Sequence, residues 1–181
     1  MKIFNTTVYG LNESLIRAGY PHALSVADFP EGCKLPPMDA YNTLVRGSTL
    51  GHAPAGSGHD CYLKGIIVQM DITAPQYWWM QFQRYHFADI VSSQSKMHCI
   101  TKMDIESMCN EYVDDIILSR LIALINVYKD AVARKEHKAI IQRAFQRTVA
   151  NTPMGLQLTA GITTNYLQLK TIFQQRKNRS E

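Results

Sequence analysis

The side chains with most chemistry to offer lie in the stretch APQYWWMQFQRYHFADIVSSQSKMH, residues 74–98. Gln81 and Arg84 stand three residues apart, and Ser92, Ser93, Ser95 and Lys96 follow within a few residues. A guanidinium, an ammonium and several hydroxyls form the donor set that a phosphate monoester needs. At 100° per residue a helix from Ala74 puts Trp78, Phe82 and Tyr85 on one stripe and Tyr77, Gln81 and Arg84 on the next. On residue types alone the plainer reading is that the aromatics pack a core while Gln81 and Arg84 face water. The serine loop beside them is what favours a ligand.

A second constellation lies near the C-terminus, where Asn165, Leu169, Ile172 and Arg176 share one helical stripe with an apolar centre and polar ends. On residue types alone an ordinary buried face with solvated ends is the preferred reading, and Arg176 belongs to the polar tail RKNRSE. Other chemistries find no pattern. His52, His59 and Cys61 match no zinc spacing. GSGHD lacks both the dinucleotide fingerprint and a phosphate-loop lysine, and no nucleophile, base and acid stand in a defensible order.

With 46% hydrophobic and 19% charged residues, the 181-residue chain reads as folded, a single domain over residues 1–181. A net charge of +4 suits anionic partners but is too small to indicate nucleic acid. Cys33, Cys61, Cys99 and Cys109 form no C-x-x-C pair and the first residues carry no secretory pattern, so a reduced, cytoplasmic protein is expected. The apolar segment Ile116 to Tyr128 is too short to span a membrane and contains Arg120. It reads as a buried helix.

The elements that must position these residues are punctuated early and regular later. KIFNTTVYG reads as a strand, NESLIRAG as a helical turn, FPEGCKLPPMD as a loop with three prolines, and DAYNTLVRG as a helix giving way to the irregular GSTLGHAPAGSGHD. Ile66, Val68, Met70 and Ile72 alternate with their neighbours, the period of a strand. Thr73 then starts a helix, with Pro75 in the first turn and Gln76 completing a capping box. After the loop DIVSSQSKMHCI, a long helical region runs from Asp104 to about Val149 with a break near ARKEHK. Its middle is expected to be the central helix of the core. The turn ANTPMG leads into a last helix from about Ala160 to Lys177.

Two of these stretches together resemble the flavin-dependent thymidylate synthases, the ThyX family. Gly58-His59, the strand, Gln81, then Arg84-Tyr85-His86 and the serine loop follow the order of the family's Gly-His segment, Gln, Arg-His-Arg signature and Ser-x-Arg loop. TPMGLQLTAGITTNYLQLKTIFQQR is similar to its closing segment, with Asn165 twelve residues after Pro153 and Arg176 eleven after Asn165. The resemblance implies a mixed α/β (α+β) fold with a small sheet, a long central helix and a C-terminal helix, assembled as a homotetramer. It implies FAD and the pyrimidine nucleotide dUMP at subunit interfaces, and NADPH and methylenetetrahydrofolate as reductant and one-carbon donor, with no cysteine nucleophile. Carried over by position, Gln81, Arg84, His86, Ser93, Ser95, Lys96 and Arg176 would hold the nucleotide. His59, Tyr85, Asn165 and Thr171 would lie by the flavin.

The chain departs from that pattern at defined places. Tyr85 and His86 replace the signature's central His and final Arg, so a permanent guanidinium becomes an imidazole mostly neutral at pH 7. The serine loop is one residue longer, so either Ser93 or Ser95 answers to the family serine, and Lys96 or Met97 to its arginine. Leu167 stands where the family has another arginine. Two functions are therefore expected in competition: a divergent flavin-dependent methylase of dUMP or a related nucleotide, and a catalytically inactive nucleotide-binding or structural homo-oligomer of the same fold.

Overall fold

The structure, a computed structural model, describes residues 1–29, 31–34 and 37–178. Strand β1 (Lys2–Tyr9) leads through Gly10 into α1 (Leu11–Arg17), and 3₁₀ turns precede α2 (Pro37–Gly51). A further 3₁₀ turn over Cys61–Gly65 enters β2 (Ile67–Pro75), followed by α3 (Gln76–Phe82), β3 (Ala88–Ser93), α4 (Lys96–Cys99) and α5 (Ile105–Met108). The long helices α6 (Asp115–Ala133) and α7 (Lys138–Ala150), then β4 (Gln157–Asn165) and α8 (Tyr166–Arg176), complete the chain. The strands pair in the order β1-β2-β4-β3. Thr73 meets Thr159 and Ile66 meets Tyr166, a falling register that makes β2 and β4 antiparallel. The mixed helix and sheet architecture is the fold class expected from the sequence.

The chain divides into two compact units. The first comprises Met1–Phe4, Asp71–Tyr85 and Ile90–Gly161; the second comprises Asn5–Met70, His86–Asp89 and Ile162–Glu181. In the first, Ile100, Ile105, Leu121, Ile125 and Leu156 form the buried cluster, with Phe145 and Val149 packed against it. In the second, Leu15, Ile16, Leu63, Ile66 and Val68 are buried. Gly10 is the position there that demands glycine: its φ is +71°, and a Cβ would stand 2.6 Å from the carbonyl oxygen of Gly65.

The alternation in β2 is as the sequence predicts, with Ile66, Val68, Ile72 and Ala74 buried. The helix break is also where expected. Lys135 sits in the left-handed region at φ 53°, Glu136 N–H donates to Ala131 O, and Lys135 N–H donates to Val132 O, a Schellman stop. His137 then caps α7 by accepting from Ala139 N–H.

Six expectations are corrected. Thr73 does not cap a helix: β2 continues to Pro75, and the Thr73 hydroxyl bonds Thr159 Oγ1 at 2.7 Å across the sheet. DIVSSQSKMHCI is not a loop but the edge strand β3 and the short helix α4. The last helix begins at Tyr166, because residues 157–165 form β4, whose Ala160, Ile162 and Thr164 are buried at period two. The segment from Ile116 is a helix but not buried all round: Leu121, Leu124 and Ile125 face inward while Ile116 is 82% exposed and Ile117 and Val127 also reach the surface. The helical region after Asp104 is likewise split into α5, a turn and α6, and α2 runs on through GSTLG to Gly51 before the irregular connection. Of the three prolines in FPEGCKLPPMD, Pro30 and Pro36 lie outside the described residues, and Pro37 opens α2, where a missing N–H costs nothing. No described helix is long and apolar enough to cross a membrane.

Candidate functional site

The first unit contains a cleft of about 250 Å³ lined by Gln76, Trp79, Gln83, Ser93, Gln94 and Thr159 among others. Its floor is fixed by Trp79, whose indole N–H donates to both Ala74 O (3.0 Å) and Leu158 O (3.1 Å). A buried indole with its donor satisfied adds area and orientation together. Trp78 stacks on Phe82 with centroids 4.8 Å apart, and Phe82 meets Tyr85 edge-on at 6.2 Å, so the predicted aromatic stripe is real.

The wall is a hydrogen-bonded clamp. Gln94 extends the β3 ladder, donating its N–H to Thr159 O and accepting Thr159 N–H on its side-chain oxygen, both at 2.9 Å. Gln76 donates from Nε2 to Pro153 O (3.0 Å) and accepts the Lys96 ammonium on Oε1 (3.1 Å). Lys96 is half-buried, its hydrogen-bond partner is neutral, and no carboxylate lies within ion-pair distance of it among the described residues. An ammonium partly withdrawn from water with no counter-ion favours an incoming anion.

The predicted nucleotide-side residues distribute unevenly. Ser93 lines the cleft, and Lys96 joins its wall through Gln76. Ser95 occupies the cap position of α4 without making a cap bond. Gln81 is exposed on α3 and Arg84 exposed in the turn beyond it, where Arg84 N–H donates to Gln81 O. Neither side chain has a hydrogen-bond partner among the described residues, and neither lines the cleft. His86 is exposed, and the chain turns there through Phe87 at φ 58°, with Thr164 Oγ1 donating to Phe87 O at 2.8 Å. Arg176 is half-buried at the end of α8.

The flavin-side residues fall mainly on the second unit, with Tyr85 in the first. His59 is exposed. Asn165 caps α8, accepting Gln168 N–H at 2.9 Å, and the Thr171 hydroxyl donates to Leu167 O at 2.9 Å. Beside His59, Asp60 is only 1% exposed and holds Lys170 Nζ at 2.6 Å, while Ala53 O takes a second ammonium proton at 2.6 Å. The lysine of α8 is thus neutralised within the fold. Asn165 Oδ1 is engaged by the Gln168 N–H, and the side chain at Leu167 is apolar. The cleft of the first unit is lined by neutral polar and apolar side chains, and the Lys96 ammonium joins it through Gln76.

Sequence reasoning missed Gln76, Gln94 and Thr159 as site residues and the Asp60–Lys170 pair altogether. A signal existed for the first group: Thr159, Thr163 and Thr164 around Gly161 give a strand composition, and a strand there brings Thr159 beside Gln94.

No family model and no curated protein matches the chain. Solved structures do. A crystal structure of the flavin-dependent thymidylate synthase ThyX of Helicobacter pylori, complexed with FAD and dUMP, superposes with a TM-score of 0.62 at 10% identity, covering 100% of this chain and 87% of that one. A second structure of the same organism's ThyX with FAD and dUMP gives 0.62 at 11% identity, covering 99% and 85%. At such identity the likeness establishes a ThyX-like fold and no more.

Proposed function

We propose that this chain is a ThyX-fold protein, cytoplasmic and homo-oligomeric, that binds a pyrimidine nucleotide through its phosphate. The carrying observation is Lys96: a half-buried ammonium bonded to the neutral amide of Gln76, which lines the largely apolar cleft, with no carboxylate within ion-pair distance among the described residues. Ser93 supplies a hydroxyl to the same cleft. The fold neighbours that bind dUMP support the choice of ligand class.

Self-association is supported by apolar residues left on the surface, Ile116, Ile117 and Val127 on α6 and Ile3, Phe4 and Val8 on β1. A tetramer of the ThyX kind would cover them. A second reading, flavin-dependent methylation of dUMP by a divergent synthase, is favoured by the full-length likeness to FAD-bound thymidylate synthases. It meets the difficulty that Asn165, Thr171 and Lys170 are engaged within the fold.

The two readings separate in one set of measurements on the purified protein. dUMP should raise Tm by roughly 5–10 °C at a hundredfold excess over Kd. Deoxyuridine, which lacks the phosphate, should raise it far less, and Lys96→Gln should abolish the difference. Equal stabilisation by dUMP in wild type and Lys96→Gln overturns the phosphate site. Flavin absorbance retained through purification, or taken up from added FAD, would favour the methylase.

A further inference from the structure

The second unit carries a different, unassigned feature in Arg46 of α2. Its Nε is a buried side-chain polar atom with no hydrogen-bond partner. Among the described residues the only bond from its guanidinium is a long 3.5 Å contact from Nη2 to Thr43 Oγ1, and no carboxylate pairs with it. A guanidinium has five donors in a fixed fork, and leaving the buried Nε–H unmet is costly.

Gly19 lies directly against the guanidinium. Its backbone, φ −91° and ψ −12°, is one that any residue adopts, so conformation does not call for glycine. A Cβ there would stand 2.6 Å from Cζ of Arg46, so a larger residue would push the guanidinium aside. The same crevice, about 240 Å³, is lined by Tyr20, His22, Asp28 and Phe29. Tyr20 and Phe29 lie with ring centroids 4.3 Å apart at 31°, and each keeps 37% of its surface exposed. They offer an open aromatic face beside an unpaired cation.

Asp28 limits what can bind. Its carboxylate accepts the N–H groups of Ser25 (2.9 Å) and Leu24 (2.7 Å), first and second causes of a pKa held below the ordinary carboxylate value, so it stays charged. One cation with a charged carboxylate in the same lining suits a monoanion better than a phosphate dianion. We propose that this crevice binds a small aromatic carboxylic acid, its carboxylate forked onto Arg46 and its ring on the Tyr20–Phe29 pair. A bidentate guanidinium–carboxylate contact and one ring face give an expected Kd on the order of 0.1–1 mM.

The test uses full-length protein labelled at its arginine side chains, with Arg46 Nε–H assigned by its loss in Arg46→Gln. Benzoate should shift that resonance saturably, benzamide, its neutral isostere, should not, and inorganic phosphate should bind at least several-fold more weakly. Gly19→Ala, which puts a methyl group against the guanidinium, and Tyr20→Leu, which removes one ring, should each weaken benzoate about tenfold. Arg46→Gln should keep or raise Tm, since it removes an unmet buried donor. No saturable shift with benzoate, or equal shifts with benzamide, overturns the site. Phosphate binding as tightly as benzoate overturns the choice of an aromatic acid.

Discussion

Lys96 and Lys170 are both half-buried lysines on helices, and the fold treats them in opposite ways. Lys170 closes on a carboxylate at 2.6 Å and a carbonyl at 2.6 Å, and its charge is answered within the second unit. Lys96 meets only a side-chain amide, at 3.1 Å, and its charge is left over in the first. A buried ion pair broken at one end costs far more than a lysine on a neutral acceptor, because the remaining charge has lost water and gained nothing. The difference separates a lysine that ties a loop to a helix from one that is available to a ligand.

The sharpest way to break that comparison is to remove each partner in turn. Asp60→Ala leaves the Lys170 ammonium buried and unpaired and should cost roughly 3–5 kcal/mol in denaturant unfolding. The double variant Asp60→Leu with Lys170→Met should recover most of it, since a well-packed apolar pair replaces buried ions at little cost. Lys96→Met should change stability by less than about 1 kcal/mol. A Lys96→Met penalty as large as that of Asp60→Ala would make Lys96 structural and remove the basis of the nucleotide site.

A milder change turns one site toward the other. Gln76→Glu would give Lys96 the counter-ion that Lys170 already has. It also loses the donor to Pro153 O, a cost of roughly 1 kcal/mol in stability. Nucleotide affinity, read by calorimetry with dUMP, should fall about tenfold, a loss of about 1.4 kcal/mol. Affinity unchanged within a factor of two would mean that the ammonium does not face the phosphate.

How much of this was legible in the sequence depends on whether a residue's role is local. The strand at 66–72 and the break at 134–137 were readable, because alternation and a helix stop are written in neighbouring residues. Thr73 looked like a cap because local bonds were the only ones in view, whereas its partner, Thr159, is 86 residues away. β4 was hidden by Thr and Gly, which dilute the period-two signal, while the stripe from Asn165 to Arg176 drew the helix too far toward the N-terminus. The donor-rich character of 81–96 was visible from residue types. That Lys96 lacks a carboxylate while Lys170 has one is a matter of long-range pairing, and Gln76 and Asp60 carried no sign of it.

The smallest effect concerns Tyr62, whose phenol senses the charge of Asp60. Tyr62 Oη donates to Gly47 O at 2.6 Å, and its phenol pKa is raised, first by burial and then by the negative charge of Asp60. A raised folded-state pKa means stability that is fully present below the unfolded value, about 10, and lost as pH rises through the folded one. Tm should therefore fall on the alkaline side of about pH 10, and Tyr62→Phe should flatten that limb while leaving neutral pH nearly unchanged. Phenolate absorbance in Asp60→Asn should show Tyr62 ionising at lower pH than in wild type, yet still above an ordinary tyrosine, because burial remains. Titration of Tyr62 at the same pH in both proteins would mean that the Asp60 charge is fully absorbed by Lys170, and the second unit would then be more completely neutralised than the comparison supposes.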